Sequence, residues 1–585
     1  MEFSDPKRVI AAYDVGKVMA VLEEAEAAAR GGLWAVGFVA YEAAPAFDPS
    51  LPVRGRDRHD TPADLPLAWF ALFTDPMEAV PFVGETRLDT SPYTVSPWMP
   101  TMDEDQYDES VGRIRRLINA GDLTQVNYAL HLDAAVSGDL FEFYRDLVLS
   151  QRGGNGAYLD LGRYRILSAS PEQFFKIEGS RITIRPMKGA AARGRWADED
   201  RRNAAKLLAS ERDRAEHQQI VDRMSEELET IAKPGTVESH ALMDLQRFET
   251  VWQLVSEISA DLDPPARIVD VFGALFPSAA VTGVPKARAM ESIATLEGRP
   301  RGIYAGAIGS IAPSGGERPD ASFSVAIRTV VVDTDEGIGD YGAGAGITAS
   351  SAERGEYDEA EAKTRILANR RPEISLFETI RWEDDHGFRW LERHLRRLCE
   401  SAAYFGFEYD EEVVRATLNA SVAGRIGDHA VRIEVDRLGA FSVTVEAEEL
   451  PDARWWPNPG LDPLVCEIDP GPISSTSVYR FHKTTARRPY SDRRDAHSGL
   501  DEVLLVNERG EITEGTTQNV AVQIAGGWVT PPLASGCLPG VLRSVLIDEG
   551  VLVEEVVMAS DLNGVERMAL LSSVHGWRPA RLISR

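Results

Sequence analysis

The sequence predicts a chain of mixed helices and strands folded as successive domains, and three observations predict it. At 585 residues the chain is too long for one hydrophobic core, and two to four domains are expected. Alternating apolar runs, the mark of strands, interleave with apolar residues at helical spacing along its length. The segment Leu367-Ala368-Asn369-Arg370-Arg371-Pro372 is short and polar and ends in a helix-breaking proline. It predicts one domain over 1–368 and another over 369–585.

The elements follow in order. Trp34 to Tyr41 and Leu67 to Phe73 read as strands among proline-rich turns. Asp103 to Ala120 reads as a helix with Tyr107, Val111, Ile114, Leu117 and Ile118 on one side. Strands are expected at Gln125 to Leu132 and Tyr164 to Ser168, and one long helix over Asp198 to Ile231. On that helix Glu216, Ile220, Met224 and Leu228 recur at steps of four and share a stripe. Phe323 to Val332 reads as a strand containing Arg328, and Tyr341 to Gly346 as a glycine-rich turn able to present amides to a carboxylate. Glu356, Glu359 and Lys363 share one helical face with Ile366 and Leu367. Beyond the boundary, Phe377 to Trp382 reads as a strand and Leu391 to Tyr404 as a helix. Val503 to Trp528 reads as a meander turning at Glu508-Arg509-Gly510 and Ala525-Gly526-Gly527.

Bulk properties exclude some functions. A hydrophobic content of 43% and a charged content of 26% are ordinary for a globular protein. The formal net charge of -29 argues against nucleic acid, whose phosphates need a basic footprint. Small anions then need a local cation. Three cysteines in this length suggest a reducing cytoplasm rather than a disulfide framework. With no apolar leader and no run of eighteen apolar residues, neither secretion nor a membrane span is expected.

Two lysines stand out. Lys188 follows the apolar residues Ile182 and Ile184 and a strand-ending Pro186, sixteen residues beyond Glu172. It pairs an amine nucleophile with a proton donor. Two carboxylates on one helix, Glu356 and Glu359, and one from another, Glu216, could hold Mg²⁺, a hard cation that prefers oxygen. Arg328 in an apolar strand needs an anion. The second lysine, Lys483, lies far downstream in Phe481-His482-Lys483-Thr484-Thr485.

The run Ser170-Pro171-Glu172, Pro186-Met187-Lys188-Gly189, Asp213-Arg214-Ala215-Glu216, Thr282-Gly283-Val284-Pro285-Lys286, Arg301 to Gly306, Ile327-Arg328 and Gly344-Ala345-Gly346 resembles the chorismate-utilising enzymes. These include anthranilate synthase component I and aminodeoxychorismate synthase component I. The resemblance covers roughly 30–368 and implies an α+β fold of large antiparallel sheets with outer helices. Anthranilate synthases carry alanine where Lys188 stands; lysine marks the aminodeoxychorismate synthases. The implied chemistry is attack of Lys188 on C2 of chorismate, loss of the C4 hydroxyl with Glu172 as proton donor, and entry of ammonia at C4. Arg185, Arg193 and Mg²⁺ would lower the pKa of Lys188. By the same resemblance Glu216 and Glu359 bind Mg²⁺ with Glu356 as helper. Gly189, Ala190, Tyr304, Arg328, Gly344, Ala345 and Gly346 contact substrate. Ala190, Ala280 and Gln253 depart from the usual threonine, serine and histidine, and Val221 to Leu228 lacks the usual Arg-Asn-Asp.

Residues 374–585 carry a second ordered set. It comprises Leu376 to Arg381, Leu391 to Leu398, Lys483, Thr513 to Asn519, Pro531-Pro532-Leu533 and Leu538 to Arg543. This set resembles the fold-type IV pyridoxal-phosphate enzymes: branched-chain and D-amino-acid aminotransferases, and aminodeoxychorismate lyase. Lys483 would attach the cofactor and Glu514 would protonate its pyridine nitrogen. Arg397 and the amides of Gly540, Val541 and Leu542, at a helix start, would hold its phosphate. The implied product of the whole is 4-aminobenzoate. A tail acting as a transaminase and a degenerate scaffold for an amidotransferase remain the alternatives. No cysteine nucleophile precedes Cys399, so ammonia comes from solution or a separate glutamine amidotransferase, and a homodimer through the second domain is expected.

Overall fold

The computed structural model describes residues 1–55, 64–78, 92–151, 154–264, 266–316, 318–351, 353–368, 373–446, 450–458 and 460–583. The chain divides into two compact units, Met1–Arg193 with Asn203–Arg371, and Gly194–Arg202 with Pro372–Arg585. Of the segment expected to separate domains, 369–372 lie outside the described residues.

The first unit is built on two large sheets of predominantly antiparallel strands. One runs from Arg8–Ala12 through Trp34–Val39 and Asp320–Val325 to Val251–Asp261, which carries both Met187–Ala192 and Glu238–Arg247. The other centres on the long strand Gln125–Gly138, paired along its length with Ile338–Ile347. One apolar core takes Phe70, Phe175 and Phe323 from the first sheet and Val126, Leu130 and Val330 from the second. Burying each such phenylalanine contributes about 1.5–3 kcal/mol. The helix Glu104–Asn119 starts where its cap dictates: Asp103 and Gln106 form a reciprocal capping box, and Tyr107, Val111, Ile114 and Ile118 face the core.

Four expectations change. The helix over 198–231 is two helices, Ala197–Ala209 and Glu211–Glu229, because Ser210 turns extended and caps the second through the Asp213 amide. The strand over 323–332 breaks between Val325 and Thr329, with Arg328 at φ 54° in the break. The glycine run 341–346 is no turn; it is the middle of the strand Ile338–Ile347. The face bearing Glu356, Glu359 and Lys363 ends early, since helix Glu353–Ala362 stops before Lys363 and a short helix Arg365–Ala368 follows.

In the second unit, Leu376–Glu383 joins a four-stranded sheet and the helix Leu391–Phe405 packs on it. A larger mixed sheet separates the two halves of the expected meander: Ile512–Gly515 pairs with Glu502–Val506, whereas Asn519–Ile524 lies between Gly527–Thr530 and Arg567–Ser572. Sequential hairpin signals do not reveal that later strands insert between them. Among the described residues no helix is long and apolar enough to cross a membrane.

Candidate active sites

Lys188 sits on Met187–Ala192, its side chain 18% exposed. Its Nζ lies 3.9 Å from Glu216 Oε2. Burial lowers its pKa; Glu216, Glu359 and Glu356 oppose that shift and Lys363 adds to it. Arg185 and Arg193, expected to depress it, are engaged elsewhere. Arg185 faces Glu257 at 3.8 Å, and Arg193 lies over Trp252 and donates to the Phe248 carbonyl. The nearby cation is Lys363, which the turn after its helix swings to Glu359 (2.8 Å) and to the Gly344 carbonyl (2.6 Å).

The glycines of Ile338–Ile347 make room for these groups. A Cβ on Gly346 would strike Lys188 Nζ, and one on Gly344 would strike Tyr304 Oη. Buried Gln125 Nε2, without a hydrogen-bond partner among the described residues, lies beside the same Gly346. Arg328 finds a carbonyl rather than a carboxylate: its Nη1 donates to Lys363 O, which also accepts from Tyr341 Oη at 2.8 Å. The oxygen lies where a helix ends, at the negative pole of its dipole.

Glu172 lies between strands Tyr164–Ser170 and Gln173–Glu178 and is 4% exposed. Burial pushes its carboxyl up to about 8. Its backbone carbonyl accepts from Val325, and the neighbouring Ala326 carbonyl accepts from Ala305, next to Tyr304.

Glu216, Glu356 and Glu359 all act on Lys188, but they do not converge on one point. Among the described residues no three His, Cys, Asp or Glu side chains form a group that could hold a metal. Mg²⁺ needs fewer protein ligands, taking one or two carboxylates and completing its shell with water and substrate oxygen. Among the described residues, buried Glu356 Oε2 has no hydrogen-bond partner, an acceptor of the kind such a cation fills. Burial raises Glu356; at Glu359 burial is opposed by Lys363, then Lys188 and Arg212, which together hold the carboxyl below its usual range.

Sequence reasoning missed His217. Its Nδ1 donates to the Lys188 carbonyl at 2.9 Å, and its Nε2 lies 2.7 Å from Ser256 Oγ, which accepts from the Met243 amide. The signal was present: His217, Val221, Met224 and Leu228 share a buried helical stripe. Of the departures, Gln253 donates to the Gly189 carbonyl at 2.9 Å, and Ala190 is exposed opposite it. Within Val221 to Leu228, Glu227 is buried and pairs with Lys286 at 3.1 Å. A long carboxylate from the altered segment thus neutralises the lysine of Thr282 to Lys286.

In the second unit a cavity of about 490 Å³ is lined by Lys483, Phe377, Arg397, Glu514, Asn519 and the start of the helix Val541–Asp548. Lys483 Nζ stands 4.7 Å from the Phe377 ring centroid. Burial, then Arg397 and Arg487, bring its pKa down to about 7 against Glu378 and Glu514. Arg397 is locked by buried Glu378 through bonds of 2.7 and 2.6 Å, and it also donates to the Pro539 carbonyl. The role of Glu378 was missed, although a carboxylate in an apolar strand needs a partner. Burial raises Glu514, which accepts from Tyr490 Oη at 2.8 Å and the Leu538 amide at 3.0 Å.

These residues fit pyridoxal phosphate. The cavity joins an amine of lowered pKa, a buried acid and a helix N-terminus. A Cβ on Gly540 would strike Asn519 Oδ1. The Gly540 amide, expected to face a phosphate, already bonds the Leu538 carbonyl, whereas Val541 and Leu542 lie in the first turn of the helix, where amides have no acceptor within the helix.

Comparison with known proteins matches residues 4–369 to the chorismate binding enzyme family and 375–583 to the class IV amino-transferases. Aminodeoxychorismate synthase component 1 of Escherichia coli (strain K12) is 36% identical over 273 residues, covering 46% of this chain and 59% of that protein. The chain therefore spans less than two thirds of that relative. Anthranilate synthase component 1 of Methanothermobacter marburgensis is 32% identical over 357 residues, covering 58% of this chain and 74% of that protein. The crystal structure of anthranilate synthase component I from Streptococcus pneumoniae superposes with a TM-score of 0.53 at 24% identity, over 63% of this chain and 91% of that one.

Proposed function

Because this chain belongs to the chorismate binding enzyme family, we propose that it makes 4-aminobenzoate in two steps, one in each unit. Chorismate and ammonia give 4-amino-4-deoxychorismate and water; that product then yields 4-aminobenzoate and pyruvate. The observation carrying this reading is Lys188, an amine of lowered pKa among carboxylates in a chorismate fold. It supplies the nucleophile that a direct ortho amination does without.

In the first step the Lys188 amine attacks C2, the ring double bonds shift, and the C4 hydroxyl departs. Glu172, protonated up to about pH 8, supplies the proton that makes it water. Ammonia then bonds to C4, the double bonds shift back, and Lys188 leaves with its bonding pair. Tyr304, Arg328, Gly189, Ala190 and the Gly344–Gly346 strand would hold the substrate. Glu216 and Glu359, with Glu356, would hold Mg²⁺, which would neutralise the ring carboxylate.

In the second step bound pyridoxal phosphate supplies an electron sink. Lys483 would attach it and, released by the incoming amine, take the proton from the ring carbon bearing nitrogen. Glu514 would hold the proton on the pyridine nitrogen, and Arg397 with the Val541 and Leu542 amides would hold the phosphate. Loss of pyruvate leaves the ring aromatic. Ammonia would come from solution or from a separate glutamine amidotransferase subunit. The reading includes a reducing cytoplasm, which suits three free cysteines, and a homodimer through the second unit.

The test is incubation with chorismate, Mg²⁺, ammonium and pyridoxal phosphate. Equal amounts of 4-aminobenzoate and pyruvate are expected; 2-aminobenzoate alone would refute para amination. The match to class IV amino-transferases favours a second reading of the tail. Amino-group exchange between 2-oxo acids without pyruvate release would support it.

A further inference from the structure

The cavity of the second unit is lined by more cations than a cofactor needs. Arg397 is committed to Glu378 and the Pro539 carbonyl. Arg487 lies 3.8 Å from the Tyr490 ring centroid and donates to the Thr516 carbonyl. Arg432, on the strand His429–Val435, is placed differently. Its guanidinium carbon lies 3.8 Å from the centroid of Phe377, the ring over which Lys483 Nζ also stands. One ion pair, Nη2 to Glu434 Oε2 at 2.8 Å, engages it, and more than a third of its side chain is exposed. Arg494, Glu446 and Asp501 line the cavity too, and Asp501 accepts from the Val465 amide.

We propose that Arg432 binds the enolpyruvyl carboxylate of the amine substrate and so selects substrates that carry it. This rests on the lyase reading of the second unit. The substrate amine must reach Lys483. The enolpyruvyl ether occupies the ring carbon next to the one bearing nitrogen, so its carboxylate is the anion nearest the reacting centre. The other carboxylate lies across the ring. Arg432 lies against the same Phe377 as Lys483, whereas Arg397 and Arg487, the cations that act on Lys483, are each bonded to a protein carbonyl. A guanidinium fork binds carboxylate through two parallel bonds, and the aromatic ring behind it holds the fork flat and covers one of its faces. The group Arg432 grips is the one that departs as pyruvate.

The experiment uses the full chain loaded with pyridoxal phosphate and supplied with 4-amino-4-deoxychorismate. Arg432→Met is expected to raise KM about 10- to 100-fold with kcat little changed; Arg432→Lys should recover part of the loss. Pyruvate affinity, read from the absorption band of the bound cofactor, should fall by a similar factor, while that of 4-aminobenzoate holds. Equal cofactor content and melting temperature across the variants separate this from misfolding. An unchanged KM, or loss of 4-aminobenzoate affinity with pyruvate affinity kept, overturns the assignment. If the unaltered protein releases no pyruvate from this substrate, the lyase reading fails and Arg432's role with it. If it does and Arg432→Met matches it, only Arg432's role fails.

Discussion

Lys188 and Lys483 both lose proton affinity to burial, but their neighbours pull in different directions. Around Lys188 three glutamates oppose burial and one lysine aids it. Around Lys483 two arginines aid burial against two glutamates, and the pKa settles at about 7. The surroundings of each lysine answer to a different guest. Carboxylates gathered near the first favour a cation, the Mg²⁺ of the proposed reaction. Arginines gathered near the second favour anions, the cofactor phosphate and the substrate carboxylates. Burial lowers the proton affinity of a lysine in either setting, so the charge around it reports the ligand rather than the nucleophile.

The sharpest break of this comparison is to remove one amine at a time. Lys188→Ala should cut para amination of chorismate by at least about 10³-fold, while pyruvate release from supplied 4-amino-4-deoxychorismate continues. Lys483→Ala should do the reverse, so that the aminated intermediate accumulates. Chromatography of the products checks both, and equal loss of both activities in either variant would end the two-site account.

Next in size is the proton donor. Burial raises Glu172 to about 8, so its acid form prevails below that pH and is lost as pH rises through it. Amination should therefore decline above about pH 8. Glu172→Gln should lower the rate about 10²- to 10³-fold and abolish that alkaline decline. A variant keeping the decline would assign it to another group. The smallest effect concerns space. Gly346→Ala drives a methyl into the place of Lys188 Nζ, and amination should fall about 10²-fold while the second unit is unaffected. A rate unchanged by that methyl would mean the lysine is not confined there.

Much of this was legible along the chain. The helices Glu104–Asn119 and Leu391–Phe405 announce themselves by apolar spacing, and the two motif sets, in order, point to the two folds. Local misreadings had local causes. Ser210 is a cap hidden inside a helical pattern, and Gly342, Gly344 and Gly346 look like a turn because glycine usually marks one. They lie in a strand paired with Gln125–Gly138, and they are glycine there because Tyr304 and Lys188 occupy the space side chains would need.

The sequence by itself determined where the candidate groups stand: the amines at 188 and 483, the acids at 172 and 514, the helix start at 540. Side-chain type and spacing along the chain are enough for that. Only the tertiary structure decided that Lys363 rather than Arg185 or Arg193 stands by Lys188, that Glu378 locks Arg397, and that His217 holds the Lys188 carbonyl. Proton affinity and hydrogen bonding depend on burial and on groups remote in sequence, and those are set when strands from distant parts of the chain pair and exclude water.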